Sequence, residues 1–258
     1  MKSILKKIPI IKRAYPSIFK KILKILKIWE INYNYFNVVF CLDINEPMDK
    51  EILFFDDYEI KQINYLIEGI KKNKIDYFID VGANSGLYSL VLAKKFKYLK
   101  IKSFEPIQTT YLKFKKNLSL NQSINNVELF NFGLSSNDTE LLMKAYKKNN
   151  YIQKGGYGVA SKNEDLSNLH TEYAFFKKAD DILILLNKHI LIKIDTEGHE
   201  KKILDGMSRI LSENKIMIQI EIFDKNFEIV DNFLKKKKFK IINYIKSDNK
   251  TDYFYINY

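Results

Sequence analysis

One cysteine in 258 residues, Cys41, excludes an internal disulfide framework and points to a reducing compartment. It lies in the apolar run Val38-Val39-Phe40-Cys41-Leu42, where a free thiol serves as a small buried hydrophobe. Proline and glycine are scarce, at four and nine residues, and no long low-complexity linker or internal repeat divides the chain. In the N-terminal region lysines interrupt every apolar run well short of the ~20 residues a membrane span needs, and the same interruption makes a poor signal peptide. A Gly-Lys-Ser/Thr triphosphate loop is absent, and so is a complete Gly-x-Gly-x-x-Gly, which removes P-loop chemistry and the usual dinucleotide fingerprint. An apolar content of 46% instead describes one globular unit with a substantial core.

The net charge of +12 is unevenly placed. Residues 1–30 hold nine Lys/Arg and one acid, whereas the remainder carries 34 basic and 30 acidic side chains. This divides the chain into a basic arm, 1–58, with an amphipathic helix and a strand near 33–45, and a main domain, 59–258. In the arm, Ile18, Ile22, Ile25, Leu26 and Trp29 fall at helical spacing, with Lys20, Lys21, Lys24 and Lys27 across much of the rest, and Pro16 placed as the helix start. Two readings fit residues 16–30: a helix packing its apolar face on the domain, or one lying on an anionic membrane surface. The second would place the protein in the cytoplasm, peripheral to the inner face of the membrane.

From residue 59 onward, strand and helix patterns alternate. A helix is expected over 59–73, then strands ending at Asp80, Glu105 and Gly133, at Asp195 and near Phe223, with helices between them. Lys240–Ile245 and Asp252–Tyr258 suit a terminal antiparallel hairpin. Near-continuous apolar strands imply a sheet covered on both faces, so the fold class is α/β with a parallel-dominated, Rossmann-like sheet. The interval 134–189 breaks the rhythm and reads as a substrate-side insertion. Its Gly155-Gly156-Tyr157-Gly158 suits either a hinged flap or a surface hairpin turn needing positive φ.

Chemistry is expected at the carboxyl ends of the strands, the edge where open α/β sheets bind ligands. Ile79-Asp80-Val81-Gly82-Ala83-Asn84-Ser85-Gly86 reads as strand, tight turn and helix start, and Glu105 follows about 20 residues later, where a ribose-binding acid belongs. An acid directly after the strand repels phosphate but suits a cationic ligand, and S-adenosylmethionine carries both an ammonium and a sulfonium. Asp80, Gly82, Asn84, Gly86 and Glu105 are therefore candidate cofactor residues. Asn131 and Gly133, at the next strand end, fall where adenine would lie, although Asn131 could equally close a turn.

The second cluster is Asp195-Thr196-Glu197-Gly198-His199-Glu200. A hydroxyl acceptor must lose a proton during methyl transfer, so Asp195, Glu197 and His199 are candidate catalytic residues. Helix capping by Asp195 or Thr196 is the plainer alternative. A divalent metal on Asp195, Glu197 and His199 is conceivable but not expected, since the spacing matches no defined metal motif. Glu221, inside an apolar strand, suits either the pocket or an ion pair with a nearby lysine.

Phe78–Ser89, Ser103–Pro106, Asn131–Ser135, Asp180–Leu183 and Ile192–Glu200, taken in order, resemble the FkbM family of S-adenosylmethionine-dependent methyltransferases across roughly residues 77–223. The resemblance implies a class I methyltransferase fold and O-methylation, often of sugar hydroxyls in surface polysaccharide or of natural products. It favours Asp195 and Glu197 over His199, which stands where the family often has alanine. The expected partners are a small-molecule or glycan acceptor and no nucleic acid, because an acidic mouth repels phosphate backbones. The alternatives are a scaffold that binds cofactor or a partner without turnover and, less favoured, a nucleic-acid methyltransferase.

Overall fold

A computed structural model describes residues 9–148, 151–153, 155–161 and 164–258. Residues 1–8 of the basic arm and a few positions of the 134–189 insertion lie outside the described residues. The chain opens with α1 (Pro9–Ile25), β1 (Glu30–Tyr35), β2 (Val38–Asp43) and α2 (Pro47–Phe55). Three expectations are corrected here. Pro16 lies inside α1 rather than at its start, and α1 ends at Ile25, so Leu26 and Trp29 follow the helix. The single strand expected over 33–45 is a hairpin, turned at Phe36 and Asn37 with φ of 52° and 61°, the paired left-handed conformation that matches strand twist.

The main domain follows as α3 (Ile60–Asn73), β3 (Tyr77–Val81), α4 (Leu87–Lys95), β4 (Lys100–Phe104), α5 (Gln108–Ser119) and β5 (Val127–Phe130). The strand expected to run to Gly133 stops at Phe130, and β6 (Gly133–Ser135) joins another sheet. That sheet is completed by β7 (Thr139–Lys148), β8 (Tyr151–Ile152), β9 (Gly158–Val159) and β10 (Leu169–Lys178), so the expected insertion is largely a small, mostly antiparallel sheet. Gly156 and Gly158 do not take the positive φ that a surface hairpin turn would need of them. The chain then runs through α6 (Ala179–Ile182), β11 (His189–Ile194), α7 (Glu200–Gly206), α8 (Ser208–Glu213), β12 (Lys215–Phe223), α9 (Phe227–Lys236), β13 (Lys240–Lys246) and β14 (Lys250–Ile256).

The central sheet has seven strands in the order β13-β14-β12-β11-β3-β4-β5. The five from β12 to β5 are parallel, and β14 runs against them as one arm of the terminal hairpin. Helices cover both faces of the sheet, the α/β, Rossmann-like arrangement expected from the sequence. Strand alternation divides its side chains between two cores. Phe78, Ile101 and Leu191 face α3, α4, α5 and the N-terminal hairpin. Ile79, Phe104, Ile192 and Ile220 face α7, α8 and α9.

The first face has a polar exception at its carboxyl end. Asp80 pairs in register with Ser103 on one side and Lys193 on the other, and Lys193 pairs with Gln219. All four are buried, and they form one row across four parallel strands beneath the loops of the site.

Candidate active site

One cavity lies over the carboxyl ends of β3, β4 and β11, and Gly82, Asn84, Glu105, Gly133, Asp195, Glu197 and His199 all line it. Asp80, Gly86 and Asn131 do not. Asp80 is buried beneath the loop, where its Oδ2 accepts a hydrogen bond from Ser89 Oγ at 2.6 Å. Gly86 lies against the Phe114 ring, which occupies the space of a side chain. Asn131 works from behind, donating from Nδ2 to the Glu105 carbonyl at 3.0 Å and the Pro106 carbonyl at 3.3 Å.

The β3–α4 loop threads between its neighbours. Gly82 and Ala83 both donate their N–H to the Phe104 carbonyl at 3.1 Å, and Asp195 N–H donates to the Val81 carbonyl at 3.1 Å. Gly82 has φ +77°, and a Cβ there would lie 2.0 Å from the Asp195 carbonyl oxygen, so a side chain is excluded twice over. Glu105 is tied to the same loop. Its Oε2 accepts from Asn84 N–H and its Oε1 from Ile107 N–H, each at 2.9 Å. Burial pushes this carboxyl up to about 7, against the pull of those two N–H donors. Next to it, Ile107, Leu134, Met143 and Phe176 make an apolar end of the cavity. Gly133 contributes by absence, since the Phe176 ring sits where its Cβ would be.

The opposite end is charged. Lys193 Nζ donates to Asp195 Oδ2 at 2.9 Å and lies 4.6 Å from the centre of the Tyr88 ring. Burial would raise the Asp195 carboxyl, but Lys193 and then Lys250 outweigh it and hold the group below its usual range. Tyr58 and Glu59 complete this wall. Glu59 adopts φ 52°. Its charge and then burial push the Tyr58 hydroxyl well above its usual range, and burial and then its charge do the same to Tyr88. Burial brings its carboxyl to about 7, with Lys193 opposing the rise. Lys193, Tyr58, Glu59 and Tyr88 are the site residues that the sequence reading missed. The available signal was Lys193, a lone cation inside Ile190-Leu191-Ile192-Lys193-Ile194 at the height of Asp80.

Past β11, Glu197 adopts φ 50° and His199 takes the position before α7 without a side-chain cap. Neither Asp195 nor Thr196 occupies that capping position. His199 Nε2 lies 3.0 Å from Ser135 Oγ. Burial, with Lys202 adding to it, brings the imidazole down to about 4, so the ring is neutral at physiological pH. The acids that gather are Asp195, Glu197 and Glu221, whose carboxylate oxygens approach within 4.8 Å of one another; His199 is not among them. Lys250 Nζ already bridges Glu197 Oε1 and Glu221 Oε2 at 2.8 Å each, the ion pair that was one reading of Glu221.

The lining carries groups that suit S-adenosylmethionine. Glu105 offers carboxylate lone pairs to a ribose diol, and Gly82 lets the backbone come close. Glu59 would face the ammonium of the cofactor's amino-acid end.

Residues 80–241 match the family described as Methyltransferase FkbM domain. The chain is 29% identical over 158 residues to Methyltransferase sdnD of Sordaria araneosa, a match covering 51% of this chain and 60% of that protein. It is 23% identical over 170 residues to Methyltransferase 1 of Beauveria bassiana (strain ARSEF 2860), covering 60% and 62%. The matched part therefore spans somewhat under two thirds of each relative's own length. Among solved structures, M. jannaschii TYW2 in complex with AdoMet aligns with a TM-score of 0.46 and 15% identity, over 88% of this chain and 84% of that one. With the family match running from Asp80 in β3 to Ile241 in β13, the chain belongs to the FkbM methyltransferase family.

Proposed function

We propose that the chain is an S-adenosylmethionine-dependent O-methyltransferase acting on a sugar hydroxyl of a surface glycan or glycolipid. The observation that carries this reading is a single cavity with Glu105 at one end and an ionised Asp195, paired with Lys193, at the other. When bound, S-adenosylmethionine supplies a methyl group on an electrophilic sulfonium. The protein's part is to align the acceptor and take its proton. Asp195 stays ionised beside Lys193 and accepts the acceptor hydroxyl's hydrogen bond and then its proton. Lys193 holds that carboxylate in place, and Glu197 is fixed beside it through Lys250.

A sugar acceptor fits the neighbouring space. A second cavity shares Met48, Tyr58, Asn84 and Gly155 with the first and extends past Phe54 and Glu46. Aromatic faces and carboxylates together suit the apolar faces and hydroxyl edges of a pyranose. The acids at the mouth disfavour a nucleic-acid backbone.

The direct test is a calorimetric titration of the protein with S-adenosylmethionine, with NAD as control, followed by methyl-transfer assays on glycosides. Micromolar binding of the first alone supports the reading; equal or preferential binding of NAD overturns it. The affinity should also depend on pH. A protonated Glu105 loses acceptor capacity toward the ribose diol, so the dissociation constant should rise by at most about tenfold per unit as pH falls below 7 and level off above it. Glu105→Gln should flatten that profile and weaken binding by about 1.5–3 kcal/mol. A profile unchanged in the variant would place the titrating group elsewhere.

A further inference from the structure

Helix α1 carries more apolar surface than the fold uses. Its inner stripe, Tyr15, Phe19 and Leu23, packs on the domain: the Tyr15 and Phe19 rings each meet Phe54 edge-on at 5.7 Å, and Leu23 enters the core. A second stripe, Ile18, Ile22 and Ile25, is turned away from the first and is 60%, 50% and 80% exposed. Leu26 and Trp29 extend it beyond the helix end, at 61% and 51%. Lys21, Lys24 and Lys27 are exposed around it, and no acid occurs from Pro9 to Trp29. The apolar face read from the sequence is therefore left in water, and a neighbouring stripe does the packing.

We propose that this face docks on an anionic lipid bilayer. Charge selects the occupant. A second copy of the chain would set lysines against lysines. A nucleic acid would pair the lysines but leave five large apolar side chains without a partner. An anionic bilayer satisfies both sets, since the isoleucines and Trp29 enter the boundary between headgroups and acyl chains while the lysines stay among anionic headgroups. The proposal does not depend on the enzymatic reading, but it bears on it, because Pro16 of the same helix also lines the second cavity beside the active site.

Trp29 is the only tryptophan, so its fluorescence reports on this patch. The full chain would be mixed with vesicles of phosphatidylcholine alone, or of phosphatidylcholine with an equal part of phosphatidylglycerol. Co-sedimentation with the anionic vesicles, a blue shift of Trp29 and weakening by salt are expected. Ile18→Glu with Ile25→Glu should reduce partitioning by about tenfold or more, with the circular dichroism spectrum and S-adenosylmethionine binding unchanged. Replacing Lys20, Lys21 and Lys24 with glutamine should remove the preference for anionic lipid. Unshifted emission without sedimentation, equal binding to neutral vesicles, or a blue shift that tracks self-association without lipid would each overturn the proposal. Loss of cofactor binding with vesicle binding intact would count against the enzymatic reading alone.

Discussion

Asp195→Asn should lower turnover by about 10²–10⁴-fold, with a much smaller change in cofactor affinity. The carboxylate is the ionised group at the acceptor end of the cavity, and an amide cannot take a hydroxyl proton. The substitution also disturbs the row beneath it, because Lys193 is buried and Asp195 is its 2.9 Å partner. Removing that charge leaves the ammonium balanced by Glu59 and Asp80, which also raise its affinity for a proton. A stability loss of about 1–3 kcal/mol is expected, below the cost of a wholly orphaned charge. Asp195→Asn/Lys193→Met separates the two effects. Its melting temperature should recover in part below about pH 7, where Glu59 takes up a proton in place of the missing cation, while turnover stays lost. An Asn variant retaining activity within a few-fold would make Asp195 a structural partner of Lys193 and move the proton acceptor to another carboxylate.

The parts of this site that were legible are those written as strand ends. An apolar run closed by an acid or a glycine marks where the backbone turns, so Gly82, Glu105 and Asp195 could be read from local pattern. Asp80 shows the limit of that reading. It lies one residue inside the strand, in the buried row with Ser103, Lys193 and Gln219, where the loop above covers it and only Lys193 of that row reaches the cavity. The same alternation, applied to β11, separates Lys193 from Ile192 and Ile194. Glu59 left no comparable trace, because its place depends on a left-handed φ that nothing about a glutamate announces. Lys250 reaches Glu197 and Glu221 only through the antiparallel register of β14 with β12, set by residues far apart in the chain. The insertion sheet was hidden for a similar reason: β7 pairs with β10, from which it is separated in the chain by β8 and β9. Pro16 misled as a helix start, since a proline within a helix looks locally like one at its first turn.

Gly82→Ala should abolish measurable cofactor binding. At φ +77° any L side chain is strained, and the new methyl would lie 2.0 Å from the Asp195 carbonyl oxygen and 3.1 Å from its carbon, both backbone atoms that cannot rotate away. The loop must therefore move, and its bonds determine what moves with it. Gly82 and Ala83 hold the Phe104 carbonyl, Asn84 holds the Glu105 carboxylate, and Asp195 N–H holds the end of β3. One methyl group thus displaces Glu105 and Asp195 together. A strain of about 3 kcal/mol corresponds to at least about 100-fold weaker binding. Gly156→Ala is the matched control, because its Cβ would meet only the flexible Gln153 side chain, at 3.3 Å, and its φ is not positive. That variant should bind like the parent. If Gly82→Ala melts like the parent and still binds S-adenosylmethionine, the β3 loop does not couple Glu105 to Asp195, and the two ends of the cavity act independently.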